Sequence, residues 1–454
     1  MALTAAATRL GRATLSRLPA DSRPAVLPGD VRAGVLHLGV GAFHRAHQAV
    51  YVEAAMAAAG GDWGIVAVAP RSRDVLEALR AQDHLYSVVT LDGADSRTKV
   101  VGALTGSVHA ASDPDSVVAY LADPAIRLVT LTVTEKAYAP DSAVTRLLVA
   151  GLAARRRADA GPITLLSCDN LPSNGVVLGR LLAGVIPDEL RDWYAASVRC
   201  PSSMVDRIVP ATTPATLAVA QRDLGVADLA AVVGEPFSQW VIEDDFAGAR
   251  PDWAAAGAVL TTDVTPWEHL KLRALNGVHS TIAYLGALAG CESIAEALAL
   301  PGMADLLRRY VATEVAASMT PPDGVTVAGY GDAALARFAN AALGHRCLQV
   351  AMDGTQKLPQ RALSVLNTVA EPALATLILA AWARFAEGRS DAGVELPLDD
   401  PRAAEVRADL STEALFGEAG VLPVPDPARR RMIDAWRAEL AAHGAAELVR
   451  RAVP

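Results

Sequence analysis

A short apolar strand, Gly34-Val35-Leu36-His37-Leu38, runs straight into Gly39-Val40-Gly41. A helical stretch follows, with Val50, Tyr51, Ala54 and Ala55 at helical spacing, and then a second apolar run, Trp63–Ala69. Strand, glycine turn, helix and strand within about 35 residues form a βαβ unit, which commits the chain to a parallel sheet with helices packed on it. The alternation continues. Tyr86–Leu91 and Thr98–Gly102 read as extended, and Pro114–Leu121 reads as a helix capped by Asp113 with Pro114 at its first position. Leu128–Val133 and Ile163–Cys168 read as strands on either side of a helix around Ala143–Asp159.

The texture changes near residues 255–265. Trp267–Ala289 reads as one long helix, and Ser293–Ala299, Met303–Ser318, Asp332–Leu343, Ala362–Leu366, Pro372–Glu387, Pro401–Leu410 and Pro427–Ala442 are Ala/Leu-rich with helical spacing. At roughly 100–200 residues per domain, a chain of 454 residues is expected to hold two or three. The expected fold class is therefore α/β: a Rossmann-like N-terminal domain over 1–262, with an N-terminal extension, and a mostly α-helical C-terminal domain over 263–454. The opening segment Met1–Arg32 is rich in Ala, Leu, Ser and Arg, but it lacks an apolar signal core and runs through Pro19, Pro24 and Pro28. It is expected to pack on the first domain.

Composition removes several function classes. Fifty-two per cent hydrophobic against 20% charged residues excludes a disordered chain. A balance of 41 Lys and Arg against 50 Asp and Glu argues against nucleic acid as a general partner. The longest strongly apolar run, Ala373–Trp382, falls short of the ~18 residues of a membrane span, so no membrane partner is expected. Cys168, Cys200, Cys291 and Cys347 form no metal-type or disulfide-type spacing, which reads as reduced thiols in a cytoplasm.

Glycines after a first strand let the backbone turn tightly and approach a pyrophosphate, and the next helix offers its free N–H groups. Gly39, Gly41, Ala42 and Phe43 are the candidate dinucleotide contacts, although His44 stands where a third glycine is usual. The end of the second strand carries Arg71-Ser72-Arg73 and no acid before Asp74. Arg71 is thus a candidate cofactor contact, and the pair of arginines leaves NAD and NADP both open. His44 and His47 have no cysteine partners and read as structural or cofactor-contacting; no metal site is expected.

The segment Trp267–His279 carries the chemistry. On a helix turning about 100° per residue, with Lys271 as the origin, Glu268 falls at about 60°, His279 at about 80° and Asn276 at about 140°. Leu275 and Leu272 are interleaved with them. A solvated face would not interleave two leucines. Lys271 suits a general base, Asn276 an alkoxide-stabilising donor, His279 a substrate-orienting group and Glu268 a proton exchanger. By contrast, Glu243-Asp244-Asp245 point apart and read as structural or as charges lining the cleft edge, and Cys168 reads as a small buried residue without a base.

Seven segments in order resemble the long-chain polyol dehydrogenases, the group of mannitol 2-dehydrogenase and fructuronate (mannonate) reductase. They are His37–Gln48, Thr132–Tyr138, Ser167–Leu171, Met204–Ile208, Gln239–Asp244, Lys271–His279 and Met352–Pro359. The resemblance implies an oxidoreductase with NAD as the usual cofactor, a Lys base and no metal. It implies that Asn170 joins Asn276 at the alkoxide, that His279 contacts the substrate and that Asp206 and Lys357 are further substrate-side residues. It leans to a monomer. The leading expectation is D-mannitol/D-fructose and the runner-up is D-mannonate/D-fructuronate. The two pairs differ by a terminal carboxylate, for which Arg346, Lys357 and Arg361 are the candidate cations. A catalytically silent dinucleotide sensor is the reading from a different class.

Overall fold

A computed structural model describes residues 8–451, and the described chain divides into two compact units, one ending at Val264 and one beginning at Thr265. Residues 1–7 of the expected N-terminal extension lie outside the described residues.

The first unit carries strands β1 (Ala33–Leu38), β2 (Gly64–Ala69), β3 (Tyr86–Asp92), β4 (Asp95–Val101), β5 (Leu104–His109) and β6 (Leu128–Leu131). These are followed by β7 (Ile163–Ser167), β8 (Val198–Arg199), β9 (Ser203–Asp206), β10 (Val232–Gly234), β11 (Gln239–Glu243) and β12 (Val259–Thr261). The main sheet is wholly parallel in the order β5-β2-β1-β6-β7-β8. Counted within that sheet, this is the doubly wound order 3-2-1-4-5-6 of a Rossmann fold, with β1 at the centre. The chain leaves β1 first towards β2 and later towards β6, so a crevice opens beyond their carboxyl ends.

Both faces of β1 are covered, which is why it reads as a nearly continuous apolar run. Val35 packs with Ile65 and Ala67 on one side; Leu36 and Leu38 pack with Val66, Val68, Val129 and Leu131 on the other. Each fully buried side chain of this size contributes about 1.5–3 kcal/mol. The helix Pro114–Ala122 forms as expected: Asp113 accepts a hydrogen bond from the Ser116 N–H at 3.2 Å, and Pro114 opens the first turn.

The extended pair at residues 86–102 does not join this sheet. β3 and β4 form an antiparallel hairpin, and β10 adds to it in a separate three-stranded sheet. A third sheet has the order β12-β11-β9. The described part of the N-terminal extension packs on this unit, with Leu10 and Leu18 buried against Leu85, Val100, Leu224 and Val226.

The second unit is helical. One of its helices, Ala373–Ala386, is covered on nearly every side, and its first turn is capped from a distance. The Glu314 carboxylate accepts from the Leu374 N–H at 2.6 Å and the Ala375 N–H at 2.8 Å, two donors the helix itself leaves unpaired. Among the described residues no helix is long and apolar enough to cross a membrane.

Candidate active site

Gly39 follows β1 with φ 105°, and a Cβ there would overlap the Thr132 carbonyl, so no other residue fits. Gly41 differs. Its φ is −80°, and a Cβ would come no closer than 3.8 Å to its nearest neighbour, the Gly39 oxygen. The protein's own packing does not require glycine at this position. It leaves the backbone open at the start of the helix Ala42–Ala46, as close approach by a pyrophosphate would require. Phe43, in that first turn, stacks on His47 at 5.0 Å between ring centres.

His44 replaces the third glycine by lying flat on His37, with ring centres 3.3 Å apart and planes 12° apart. His37 in turn fixes the turn. Its Nδ1 meets Thr130 Oγ1 at 2.8 Å, and its Nε2 meets Thr132 Oγ1 at 3.0 Å and the Gly39 carbonyl at 3.1 Å. Burial pulls His37 down to about 3 and His44 well below the usual imidazole range, so both are neutral at pH 7. Arg45 Nη1 donates to the Ala230 carbonyl and Nε to the Gly41 carbonyl at 3.2 Å, while His47 Nε2 meets the Gln239 carbonyl at 2.9 Å. The histidines and arginine of this motif hold the turn to its neighbours.

Other candidates lie at strand ends. Arg71 follows β2 and is exposed; its carbonyl meets His109 Nε2 at 2.8 Å. Asn170, exposed, follows β7, and the residue before it anchors it. The Asp169 carboxylate accepts from the Val133 N–H (3.1 Å), the Thr134 N–H (2.8 Å) and the Tyr138 hydroxyl (2.7 Å). Thr134 has φ 71°, a strained conformation that this clamp helps to hold. Asn174 donates to the Asp169 carbonyl at 2.9 Å and the Ser203 carbonyl at 2.8 Å, tying β7 to β9. Asp206, buried, ends β9. Sequence reasoning singled out neither Asp169 nor Asn174; the one available signal was their closeness to Asn170.

The remaining acids and thiols have structural roles. Glu243 accepts from the Ser202 N–H at 2.9 Å, Asp244 pairs with Arg250 at 3.0 Å and Asp245 with Arg199 at 3.7 Å. Cys168 is buried, and burial pushes its thiol up, away from the reactive thiolate. Among the described residues no group of three or more His, Cys, Asp or Glu is placed to hold a metal ion.

In the second unit, the expected single helix over 267–289 has three parts. Thr265–Leu270 is α-helical, Lys271–Gly277 is a π-helix and Val278–Leu288 is α-helical again. This changes the angular reading. Bonds from i to i+5 widen each turn by about one residue. Lys271 and Asn276, five apart, therefore come close to alignment, instead of the ~140° that an α-helix sets between them. Glu268, Lys271 and Asn276 are all buried, so this is no solvated face. Among the described residues nothing accepts or donates a side-chain hydrogen bond at Asn276. A Cβ at Gly277 would sit 2.9 Å from the Arg361 carbonyl, a close approach that explains the glycine.

His279 stacks on Phe338 at 4.3 Å and on His345 at 5.4 Å. Burial first, then the charges of His345, Arg361, Arg337 and Lys357, hold it well below the usual range, so it is a neutral imidazole. Lys357 donates to the Met352 carbonyl at 2.6 Å and lies 3.7 Å from the Asp353 carboxylate.

The chain matches two family models: the mannitol dehydrogenase Rossmann domain over residues 33–255 and the mannitol dehydrogenase C-terminal domain over residues 263–420. It is 35% identical to D-mannonate oxidoreductase of Escherichia coli, covering 96% of this chain and 98% of that one. It is 36% identical to mannitol 2-dehydrogenase of Cereibacter sphaeroides, covering 84% and 86%. Among solved structures it resembles Pseudomonas fluorescens mannitol 2-dehydrogenase in its ternary complex with NAD and D-mannitol. There the TM-score is 0.86, with 32% identity over 98% of this chain and 99% of that one. A Rossmann unit with an open glycine turn, followed by a helical unit with an aligned lysine and asparagine, thus places the chain in the mannitol dehydrogenase family of oxidoreductases.

Proposed function

We propose that this chain interconverts a secondary alcohol of a linear six-carbon polyol or aldonate with the matching ketone, using NAD(H) or NADP(H) and no metal. The observation that carries this reading is the alignment of buried Lys271 and Asn276 by a π turn in one unit, together with a glycine turn open to a dinucleotide in the other. Gly39, Gly41, Ala42, Phe43 and Arg71 would hold the dinucleotide, which, when bound, accepts the hydride from the carbinol carbon. Lys271 Nζ takes the hydroxyl proton as that hydride leaves, and Glu268 passes a proton between Nζ and solvent. The amides of Asn170 and Asn276 donate to the oxygen as it gains negative charge. Neutral His279 orients the hydroxyl, and Asp206 and Lys357 bind more distant hydroxyls. The exposed arginines after β2, with no acid before Asp74, keep NADP open. The reading carries with it a cytoplasmic monomer acting on small molecules.

Reduced-cofactor absorbance decides it. D-fructose and D-fructuronate are crossed with NADH and NADPH on the purified protein, and kcat/KM is taken for each cell of the grid. Turnover in at least one cell is expected. Tight NADH or NADPH binding with no turnover of any polyol or hexuronate would instead make the chain a dinucleotide sensor.

A further inference from the structure

Three cations in the second unit were equal in sequence, but the structure separates them. Arg346 is exposed, at the start of the helix Cys347–Ala351. Lys357 is engaged by the Met352 carbonyl and the Asp353 carboxylate. Arg361 is partly buried, in a π turn that spans Pro359–Leu363. Its backbone lies against Gly277, its carbonyl accepts from the Tyr310 hydroxyl at 3.4 Å and its Nη1 donates to Ser280 Oγ at 2.9 Å.

That hydroxyl locates the guanidinium. Ser280 follows Asn276 by four residues, which is one helical turn, or roughly 6 Å along the axis. The charge therefore sits one turn beyond the amide assigned to the reacting oxygen. A chain of a few carbon atoms spans that interval.

Arg361, Arg337 and Lys357 all act on the His279 imidazole, and Asp353 is the carboxylate whose charge reaches Arg361. Among the described residues no carboxylate lies within ion-pair distance of Arg361. Burial pulls its guanidinium down to about 10, a penalty that a bound anion would relieve. A guanidinium offers five N–H donors in a planar fork suited to a carboxylate, and among the described residues Ser280 is the one side chain that accepts from it.

We propose that Arg361 takes a carboxylate at the far end of the substrate, so that the preferred substrates are aldonates and their keto-uronate partners rather than neutral polyols. This rests on the proposed alcohol–ketone chemistry at Lys271. The substrate keeps its carboxylate throughout; only the carbinol and ketone exchange.

The test measures kcat/KM for D-mannonate and D-mannitol, and in reverse for D-fructuronate and D-fructose, on wild type, Arg361→Gln and Arg361→Lys. Wild type should favour the acid of each pair by about 100-fold or more. Arg361→Gln should collapse that ratio by about the same factor, chiefly through KM, and Arg361→Lys should restore part of it. A wild type that prefers the neutral member overturns the assignment, whatever the variants do, and leaves the proposed chemistry standing. Equal losses on both members in Arg361→Gln would also overturn it, showing a structural arginine. Turnover of neither class by wild type would remove the proposed chemistry and this assignment together.

Discussion

Arg155 of the first unit and Arg361 of the second are both pulled down to about 10 by burial, yet they are satisfied very differently. Arg155 donates to six backbone carbonyls, those of Gly161, Leu121, Asp123, Ile126, Ala160 and Pro162. Arg361 donates to one serine hydroxyl. The same contrast runs through each region. Around the glycine turn, His37, Arg45 and Asp169 are consumed by the backbone they hold. On the Lys271 helix, Asn276 keeps its amide unspent. His37, Arg45 and Asp169 of the first region build the scaffold, whereas Asn276 and Arg361 of the second keep donors for something that is not protein. A substitution should therefore cost stability in one region and rate in the other.

The largest effect tests that division at its sharpest. Lys271→Met should lower kcat by about 10³–10⁴-fold while dinucleotide affinity, read by fluorescence titration, stays within a few-fold. A loss below tenfold with chemistry rate-limiting would take the base role away from Lys271. Arg155→Met should do the reverse. It removes a charged donor from six carbonyls and should destabilise the fold by about 3–5 kcal/mol, seen as a lower midpoint in denaturant. The rate per folded molecule should hold. If Arg155→Met instead lowers kcat without moving the midpoint, the contrast between the regions fails.

The smallest effect concerns pH. His37 is neutral in the fold and titrates near 6.5 when unfolded, so the unfolded chain binds the extra proton as pH falls. Its contribution is fully present above about pH 6.5 and is lost progressively down to about 3. Between pH 6.5 and 5 that amounts to about 2 kcal/mol, at 1.36 kcal/mol per unit. Melting temperature should fall over this range, and His37→Gln should flatten the slope. A slope unchanged by the substitution would mean that other buried groups set it.

Much of this was legible in the chain. Gly39 announced the turn because no residue with a Cβ can occupy it, and the long apolar strands announced the sheet. β8, β9, β10 and β12 did not, because two to four residues carry no readable period. Lys271 was found from its mixed face, but Asn276 was placed far from it, since the 3.6 period assumed for the helix does not hold across a π turn. Arg361 could not be told from Arg346 or Lys357, because charge in a sequence says nothing of which cation a fold encloses.

The π turn also sets where along this helix a residue can be lost. Such a turn is an α-helix carrying one surplus residue, so removing any one position between Lys271 and Asn276, such as Ala274, would let the helix relax to ordinary pitch. Lys271 and the displaced asparagine would then sit four apart rather than five, still roughly in line. Everything beyond, from His279 to the Ser280 hydroxyl that holds Arg361, would keep nearly its angle to Lys271, because the residue removed is the one the π turn absorbs. The same single-codon deletion placed beyond the π turn, at Val278, would instead swing Ser280 by about 100° relative to Lys271 and separate recognition of the substrate's far end from chemistry at its carbinol.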